Sequence, residues 1–271
     1  MLRAKKSLGQ NFLVDESYVR RIVAALGPRE GETVVEIGAG RGALTERLVG
    51  LVGRLVAVEF DRELAPLLRG RFGGRGDFEV IEADALEVDF CAAVAPAASA
   101  RVVANLPYNI STAILQRLIA QRRCLPELVL MLQREVVERI TAPPGSPARG
   151  FLSLLVQAYC EAESLFDVPP GAFRPVPKVW STVVRLRARA DEGEALGELF
   201  WNVVSAGFAQ RRKTILNNLR AAPVGLRERA AAAGGELAAL AAAGVEPRRR
   251  AETLTLLEWA ALARTLAETK K

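Results

Sequence analysis

The feature of this sequence that most restricts its fold is a repeated alternation between short apolar runs and helical patterns in the first half of the chain. Short apolar runs predict buried strands, and apolar residues three and four positions apart predict helices. Strands that alternate with helices form a parallel sheet whose two faces are covered by the helices. The predicted strands are residues 33–37, 54–59, 78–81, 101–104 and 128–132, and the predicted helices are residues 17–26, 43–51, 64–68 and 113–120.

The second half of the chain changes character at a polar stretch, residues 187–194. Before this stretch, residues 152–166 and 181–186 are predicted to form two later strands. After it the sequence is rich in Ala and Leu at helical spacing. We therefore predict an α/β domain over residues 1–190 and a small helical domain over residues 191–271.

The chain of 271 residues contains no histidine. This absence excludes histidine-based catalytic triads, histidine general bases and histidine-ligated metals. Any catalysis must use carboxylates, amides, aromatic rings, backbone groups or a bound cofactor, and we expect no metal ion.

The three cysteines, Cys91, Cys124 and Cys160, lie far apart in the sequence. An odd number of cysteines without a CxxC pair predicts neither a disulfide framework nor a zinc site. Reduced cysteines are typical of the cytoplasm. We see no signal peptide and no apolar stretch long enough to span a membrane, so we expect a cytoplasmic protein.

A glycine-rich turn follows the first predicted strand and contains Gly38 and Gly40. Glycines let the backbone approach a ligand closely, although the spacing alone is a weak signal. Glu59 ends the second strand, where a carboxylate meets a ribose diol, and Asp84 follows the third strand, where it could accept from an adenine amine. Together these positions predict an adenosyl-cofactor site, which could take NAD or S-adenosylmethionine. Glu36, just before the turn, suits a methyltransferase.

The sequence Asn105-Leu106-Pro107-Tyr108 stands at the end of the fourth predicted strand, beside the same crevice. Methylation of an exocyclic adenine amine requires that its lone pair be freed from the ring. The Asn105 side-chain oxygen and the Leu106 carbonyl can accept the two N–H bonds and favour this state. Tyr108 offers a flat face on which an extruded base can stack. The motif therefore predicts methyl transfer to an adenine N6, and S-adenosylmethionine as the cofactor.

Two basic clusters lie in the second half of a chain whose net charge is +6. Such clusters attract polyanions, although each can also be an ordinary solvated surface. The clusters are Arg211-Arg212-Lys213 and Arg248-Arg249-Arg250.

The sequence resembles the KsgA/RsmA family of ribosomal RNA adenine dimethyltransferases over nearly its whole length. The resemblance rests on the glycine turn, on Asn105 to Tyr108 and on several more specific motifs. These motifs are residues 7–13 (SLGQNFL), 109–112 (NIST), 133–136 (QREV), 169–173 (PPGAF), 175–179 (PVPKV), 208–214 (FAQRRKT) and 250–254 (RAETL).

This resemblance implies a Rossmann-like class I methyltransferase sheet with a small C-terminal helical domain that binds RNA or the ribosome. The substrate it implies is a pair of adjacent adenosines near the 3′ end of 16S rRNA in an immature small ribosomal subunit. We expect the protein itself to be a monomer. It implies that Tyr108 and Phe173 sandwich the target base. The implied cofactor contacts are Asn11, Leu13, Gly38, Glu59, Asp84 and Asn105. Together with the clustering, it predicts ribosomal RNA contacts at Arg211, Arg212, Lys213 and Arg248.

Three other functions stay open. A methylase of the antibiotic-resistance type, which modifies 23S rRNA, is similar in the first domain. A binding factor could keep the fold and lose catalysis. Methylation of a protein glutamine amide uses a similar motif but predicts no basic surface for nucleic acid.

Overall fold

The structure is a computed structural model that describes residues 4–5, 8–189 and 196–268. The chain forms two compact units. Unit 1 is Met1–Val137 with Tyr159–Ala188, and unit 2 is Glu138–Ala158 with Arg189–Lys271. Residues 138–158 thus group with the C-terminal helices, whereas the sequence had placed them in the first domain.

A sheet of seven strands forms the centre of unit 1 in the described residues. The strands are β2 (Thr33–Ile37), β3 (Arg54–Glu59), β4 (Phe78–Glu82), β5 (Arg101–Asn105), β6 (Glu127–Gln133), β7 (Cys160–Val168) and β9 (Ser181–Ala188). Their order in the sheet is β4-β3-β2-β5-β6-β9-β7. Strands β2 to β6 are parallel, and β9 runs antiparallel to both of its neighbours. All five strands predicted in the first half are present, with bounds shifted by at most one residue.

The central strands carry almost continuous apolar sequence because helices cover both of their faces. Every residue of β2 is buried, whereas the edge strand β4 is half-exposed. The first six helices of the chain are α1 (Glu16–Leu26), α2 (Thr45–Leu48), α3 (Leu64–Phe72), α4 (Phe90–Val94), α5 (Ser111–Ala120) and α6 (Arg134–Ile140). The helix predicted at residues 43–51 is thus only one turn long.

A second, two-stranded sheet joins distant parts of unit 1. It consists of β1 (Phe12–Leu13) and β8 (Phe173–Arg174), which pair antiparallel. Leu13 lies opposite Phe173, and both side chains belong to the hydrophobic core. This pairing fixes residues 12–13 against β8, and no local sequence pattern indicated it.

The prediction of a strand over residues 152–166 is wrong in its first half. Phe151–Tyr159 is helix α7, and β7 begins only at Cys160. A short apolar run does not distinguish a buried helix from a buried strand. The buried residues of α7 include Leu152 and Val156, four positions apart, which is helical spacing.

In the described part of unit 2, five further helices surround the buried ring of Trp259. They are α8 (Glu198–Phe208), α9 (Ile215–Arg220), α10 (Val224–Ala232), α11 (Glu236–Ala242) and α12 (Leu256–Ala267). A Cβ at Gly207 would lie 2.2 Å from the Trp259 ring, so this crossing of α8 and α12 requires glycine. None of the helices in the described residues is long and apolar enough to cross a membrane.

Two cysteines that the sequence analysis expected to be separate thiols form a disulfide, Cys91–Cys124. The pairing arises because α4 packs against the turn after α5. Gln121 in that turn accepts from the Phe90 N–H and donates to the Val88 carbonyl. Sequence separation hides this contact, and the expectation of no disulfide is corrected here. Cys160 is buried and is not part of this disulfide.

Candidate functional site

A cavity of about 280 Å³ lies in unit 1 at the carboxyl ends of the parallel strands β2, β3, β4 and β5. Ligands bind in such a crevice in open α/β sheets. The structure brings together seven residues that the sequence assigned to the site. They are Asn11, Gly38, Glu59, Asp84, Asn105, Leu106 and Tyr108.

The glycine turn after β2 forms one wall of this cavity. Gly38 and Gly40 have φ values of 70° and 59°, a region that favours glycine. A Cβ at Gly40 would also lie 3.2 Å from the Phe12 ring. The turn therefore needs glycine for its backbone and for the close approach of the N-terminal residues.

Glu59 at the end of β3 is only 6% exposed and lines the cavity. Its Oε2 accepts from the Gly40 N–H at 2.8 Å, and its Oε1 accepts from the Asp61 N–H at 2.8 Å. Burial raises the pKa of Glu59 against the opposing effect of these hydrogen bonds. Each carboxylate oxygen can accept a further bond, so the group fits a ribose diol.

Asp84 lies beyond β4 and lines the cavity. Its Oδ1 accepts from the Leu86 N–H at 2.9 Å, which fixes the carboxylate in its turn. The acceptor character of this group fits an adenine amine. With the glycine turn and Glu59, it gives the cavity the set of groups that an adenosyl cofactor requires.

Residues 8–12 form a second wall of the cavity, and only one of them was predicted to do so. Asn11 lines the cavity as predicted, and so do Gln10, Phe12 and Phe60, which were not predicted. Leu13 does not line the cavity. Its side chain is 6% exposed and packs in the core beside β8. The cofactor contact of Leu13 stays a prediction.

Asn105 is held by the N-terminal residues. Its Nδ2 donates to the Asn11 carbonyl at 3.0 Å. The side-chain oxygen is then the end of this amide that can accept from a substrate amine. The next residue is fixed as well, because the Leu106 N–H donates to the Met131 carbonyl at 3.2 Å.

The Tyr108 ring lines the cavity, and its hydroxyl group lies 2.6 Å from Ser181 Oγ. Ser181 begins β9 and is fully buried. Burial raises the pKa of Tyr108, so its hydroxyl stays protonated at neutral pH. The hydrogen bond with Ser181 ties the free end of the ring to the sheet, and sequence reasoning did not anticipate it.

Phe173 does not join Tyr108 at the cavity. Its side chain is fully buried in the same hydrophobic core as Leu13, which lies opposite it on β1. It does not line the cavity. In this arrangement, without substrate, Tyr108 lines the cavity and Phe173 packs in the core. The sandwich of the target base by the two rings stays a prediction.

The two basic clusters lie side by side in unit 2, because Thr214 forms a β-bridge with Arg250. Arg211 donates to the carbonyls of Pro147 and Arg149. Arg249 is half-buried and paired with Glu258. The exposed cations of the two clusters are Arg211, Arg212, Lys213, Arg248 and Arg250.

Glu36 supports the glycine turn from below and is only 2% exposed. Its Oε2 accepts from Thr45 Oγ1 at 2.7 Å. Burial raises the pKa of Glu36 to about 7, and the nearby charge of Glu59 adds to this effect. Between the ordinary value of 4.5 and about 7, the folded protein holds a proton that the unfolded chain releases.

The free energy of unfolding should therefore decrease as the pH rises through this window and level off above it, by up to about 1.4 kcal/mol per pH unit. We expect Glu36→Gln, which mimics the protonated form, to be more stable than the parent at pH 8 and to lose this dependence. Urea unfolding between pH 4.5 and 8 measures it. The exposed Glu87→Gln is the matched control, and parallel curves for parent and Glu36→Gln would contradict the shift.

Comparison with known proteins gives the family. The sequence matches the ribosomal RNA adenine dimethylase family over residues 1–262. It is 48% identical over 266 residues to the Ribosomal RNA small subunit methyltransferase A of Acidobacterium capsulatum, covering 97% of this chain and 92% of that protein. The protein of the same name from Geobacter sulfurreducens is 44% identical, with 98% of this chain and 96% of that protein covered.

Solved structures show the same fold. A dimethyladenosine transferase from Plasmodium falciparum superimposes with a TM-score of 0.76 at 24% identity, covering 93% of this chain and 95% of that chain. The 23S rRNA methyltransferase ErmE has a TM-score of 0.70 at 28% identity, covering 95% of this chain and all of that one. The predicted methyltransferase fold is confirmed. The chain belongs to the ribosomal RNA adenine dimethylase family and is an S-adenosylmethionine-dependent methyltransferase.

Proposed function

We propose that this enzyme methylates N6 of two adjacent adenosines near the 3′ end of 16S rRNA, in the immature small ribosomal subunit, to give N6,N6-dimethyladenosine. The relatives that match at 44–48% identity over nearly their whole length are named as small-subunit methyltransferases. The ErmE structure, named as a 23S rRNA methyltransferase, is 28% identical. This difference supports the small-subunit substrate over the large-subunit one.

The cofactor supplies an electrophilic methyl group when it is bound. The residues that line the cavity would hold this cofactor. We propose that Glu59 binds the ribose hydroxyls, that Asp84 binds the adenine amine and that the backbone of Gly38 approaches the cofactor closely. Asn11 and Asn105 complete the contacts. The remaining task of the protein is to present an amine nitrogen with its lone pair directed at the methyl group.

Asn105 and Leu106 perform that task in the proposed mechanism. The observation that carries it is the hydrogen bond from Asn105 Nδ2 to the Asn11 carbonyl, which leaves the side-chain oxygen as the acceptor. This oxygen and the Leu106 carbonyl accept the two amine hydrogens and favour a pyramidal nitrogen. The Tyr108 ring stacks on the extruded base. The proton lost after transfer needs no strong base, which suits a chain without histidine.

We further propose that the enzyme works as a monomer in the cytoplasm, where ribosomal subunits are assembled. The exposed cations of unit 2, Arg211, Arg212, Lys213 and Arg248 among them, hold the phosphates of the ribosomal RNA.

Primer extension tests the substrate directly. Small subunits from cells lacking this gene should show no stop at the two adjacent adenosines, and purified protein with S-adenosylmethionine should restore it. Asn105→Ala should restore less than about 1% of the stop, because the amine loses its acceptor. A stop created in 23S rRNA instead would identify the resistance-type enzyme. Binding to subunits without any methyl transfer would identify a non-catalytic factor.

The bond between Tyr108 and Ser181 predicts a non-additive pair. Ser181→Ala and Tyr108→Phe should each lower kcat by roughly fivefold, equivalent to about 1 kcal/mol, because the ring loses its anchor but keeps its stacking face. The double variant should be no slower than either single variant. Tyr108→Ala should cost more, roughly 1–3 kcal/mol, since it removes the stacking face. Rates that multiply in the double variant would show that the two side chains act separately.

The exposed cations of unit 2 predict a salt-dependent affinity for immature small subunits. Changing Arg212, Lys213 and Arg248 to Gln should lower the slope of log affinity against log salt, by roughly 0.7–0.9 for each phosphate contact removed. Cofactor affinity should stay the same. Arg227→Gln removes an equally exposed charge on α10 and serves as the control. An unaltered slope in the triple variant would assign this cluster to ordinary solvated surface.

A further inference from the structure

Asp61 is a buried carboxylate two residues beyond Glu59, and it does not line the cavity. It is 3% exposed and accepts three hydrogen bonds. Lys5 Nζ donates to its Oδ1 at 2.7 Å, the Glu63 N–H donates to the same oxygen at 3.0 Å, and Gln10 Nε2 donates to Oδ2 at 2.8 Å. Two of these three donors, Lys5 and Gln10, are side chains from described residues before α1, which we call the N-terminal segment (residues 4–5 and 8–13).

Gln10 connects this carboxylate with the rest of the N-terminal segment. Its Oε1 accepts from the Lys5 N–H at 2.8 Å, so both ends of the Gln10 amide are engaged. The next residue, Asn11, offers its carbonyl to Asn105 Nδ2 at 3.0 Å. A continuous chain of hydrogen bonds and one peptide unit therefore runs from Asp61 through Gln10 and Asn11 to Asn105.

The orientation of the Asn105 amide decides what this side chain can do. An amide presents an acceptor at one end and two donors at the other. If the group turned over, its donors would meet the donors of the substrate amine. A backbone carbonyl can only accept, so the Asn11 carbonyl holds the donor end and leaves the oxygen for the substrate.

The negative charge of Asp61 is buried, and hydrogen bonds to its carboxylate stabilise it. Burial disfavours the ionised form, but the hydrogen bonds from Lys5, from the Glu63 N–H and from Gln10 hold the pKa of Asp61 below its ordinary value. The Asp61 N–H also donates to Glu59 Oε1. One residue thus fixes both the proposed ribose ligand and the N-terminal segment.

We propose that Asp61 is a positioning residue that clamps the N-terminal segment through Gln10 and Lys5, so that the Asn11 carbonyl holds Asn105 with its side-chain oxygen directed at the substrate amine. The inference rests on the proposed function, because it gives Asn105 the role of accepting from an adenine amine. It goes beyond that function by assigning the orientation of the catalytic amide to a residue outside the cavity.

Nuclear magnetic resonance tests the clamp without any substrate. In the 15N-labelled, cofactor-free protein, the Asn105 side-chain amide signal is assigned from its loss in Asn105→Asp. In Asp61→Asn we expect this signal to move toward that of a solvent-exposed asparagine, and backbone hydrogen exchange over residues 8–13 to quicken at least tenfold. Asp61→Asn keeps the size of the side chain but places a donor amide against the donors of Gln10 and Lys5.

Glu63→Gln is the matched control. Glu63 also contacts Lys5, at 3.1 Å, but its side chain is 54% exposed and makes no bond to Gln10. It should leave the Asn105 signal and the exchange rates unchanged. If Asp61→Asn does not fold, Gln10→Leu cuts the same chain of bonds and leaves Asp61 its bonds to Lys5 and to the Glu63 N–H.

Kinetics on immature small subunits separate positioning from cofactor retention. At saturating S-adenosylmethionine and RNA, kcat of Asp61→Asn should fall at least tenfold, with a smaller change in KM for RNA. An unchanged Asn105 signal, or a normal kcat once the cofactor is saturating, would overturn the proposal. A parent protein that does not methylate small-subunit RNA would overturn the proposed function instead, and the resonance measurement would still decide whether the clamp exists.

Discussion

The parallel pairing of β2 with both β3 and β5 is the constraint on which the whole site depends. Ile37 lies opposite Val58 on one side and Ala104 on the other. The three strands therefore end at one level, and the residues that follow them meet there. After β2 the chain continues to β3 on one side, and after β5 it continues to β6 on the other side, which opens a crevice between the ends of β2 and β5. The cofactor groups and the catalytic amide share one cavity because of this register.

Three acidic side chains are buried in or near the crevice. Glu36 and Glu59 are buried within interacting distance of each other, and Asp61 follows two residues later. Without histidine, the chain stabilises these groups with backbone N–H donors, the Thr45 hydroxyl and the ammonium group of Lys5. Buried charges require such partners. The N-terminal segment thus stabilises the carboxylates as well as enclosing the cofactor.

The features that could be predicted from the sequence are those formed by residues close together in the chain. Features that depend on residues far apart in the chain could not be predicted. The strands 33–37 and 54–59 were predicted to the residue, because a fully buried strand is a continuous apolar run between turns. Gly38, Glu59, Asp84 and Asn105 followed, since strand ends in a parallel sheet share an edge. By contrast, β1 is two residues long and gains its pairing from β8, so it carried no local signal. The core position of Phe173 likewise carried no local signal, because its partner Leu13 lies 160 residues earlier in the chain.

The pairing of β1 with β8 also bears on how the enzyme is made. Phe12 lies opposite Arg174, and the Asn11 carbonyl accepts from the side-chain amide of Asn105, which is 94 residues further along the chain. Synthesis runs from the N-terminus at roughly 5–20 residues per second, so the first residues leave the ribosome many seconds before their partners. Residues 11–13 can consequently take up their observed places only after residues 105 and 173–174 have been translated. A nascent chain cut short before residue 174 would have its parallel strands and its glycine turn, yet it would lack a docked wall over the cofactor.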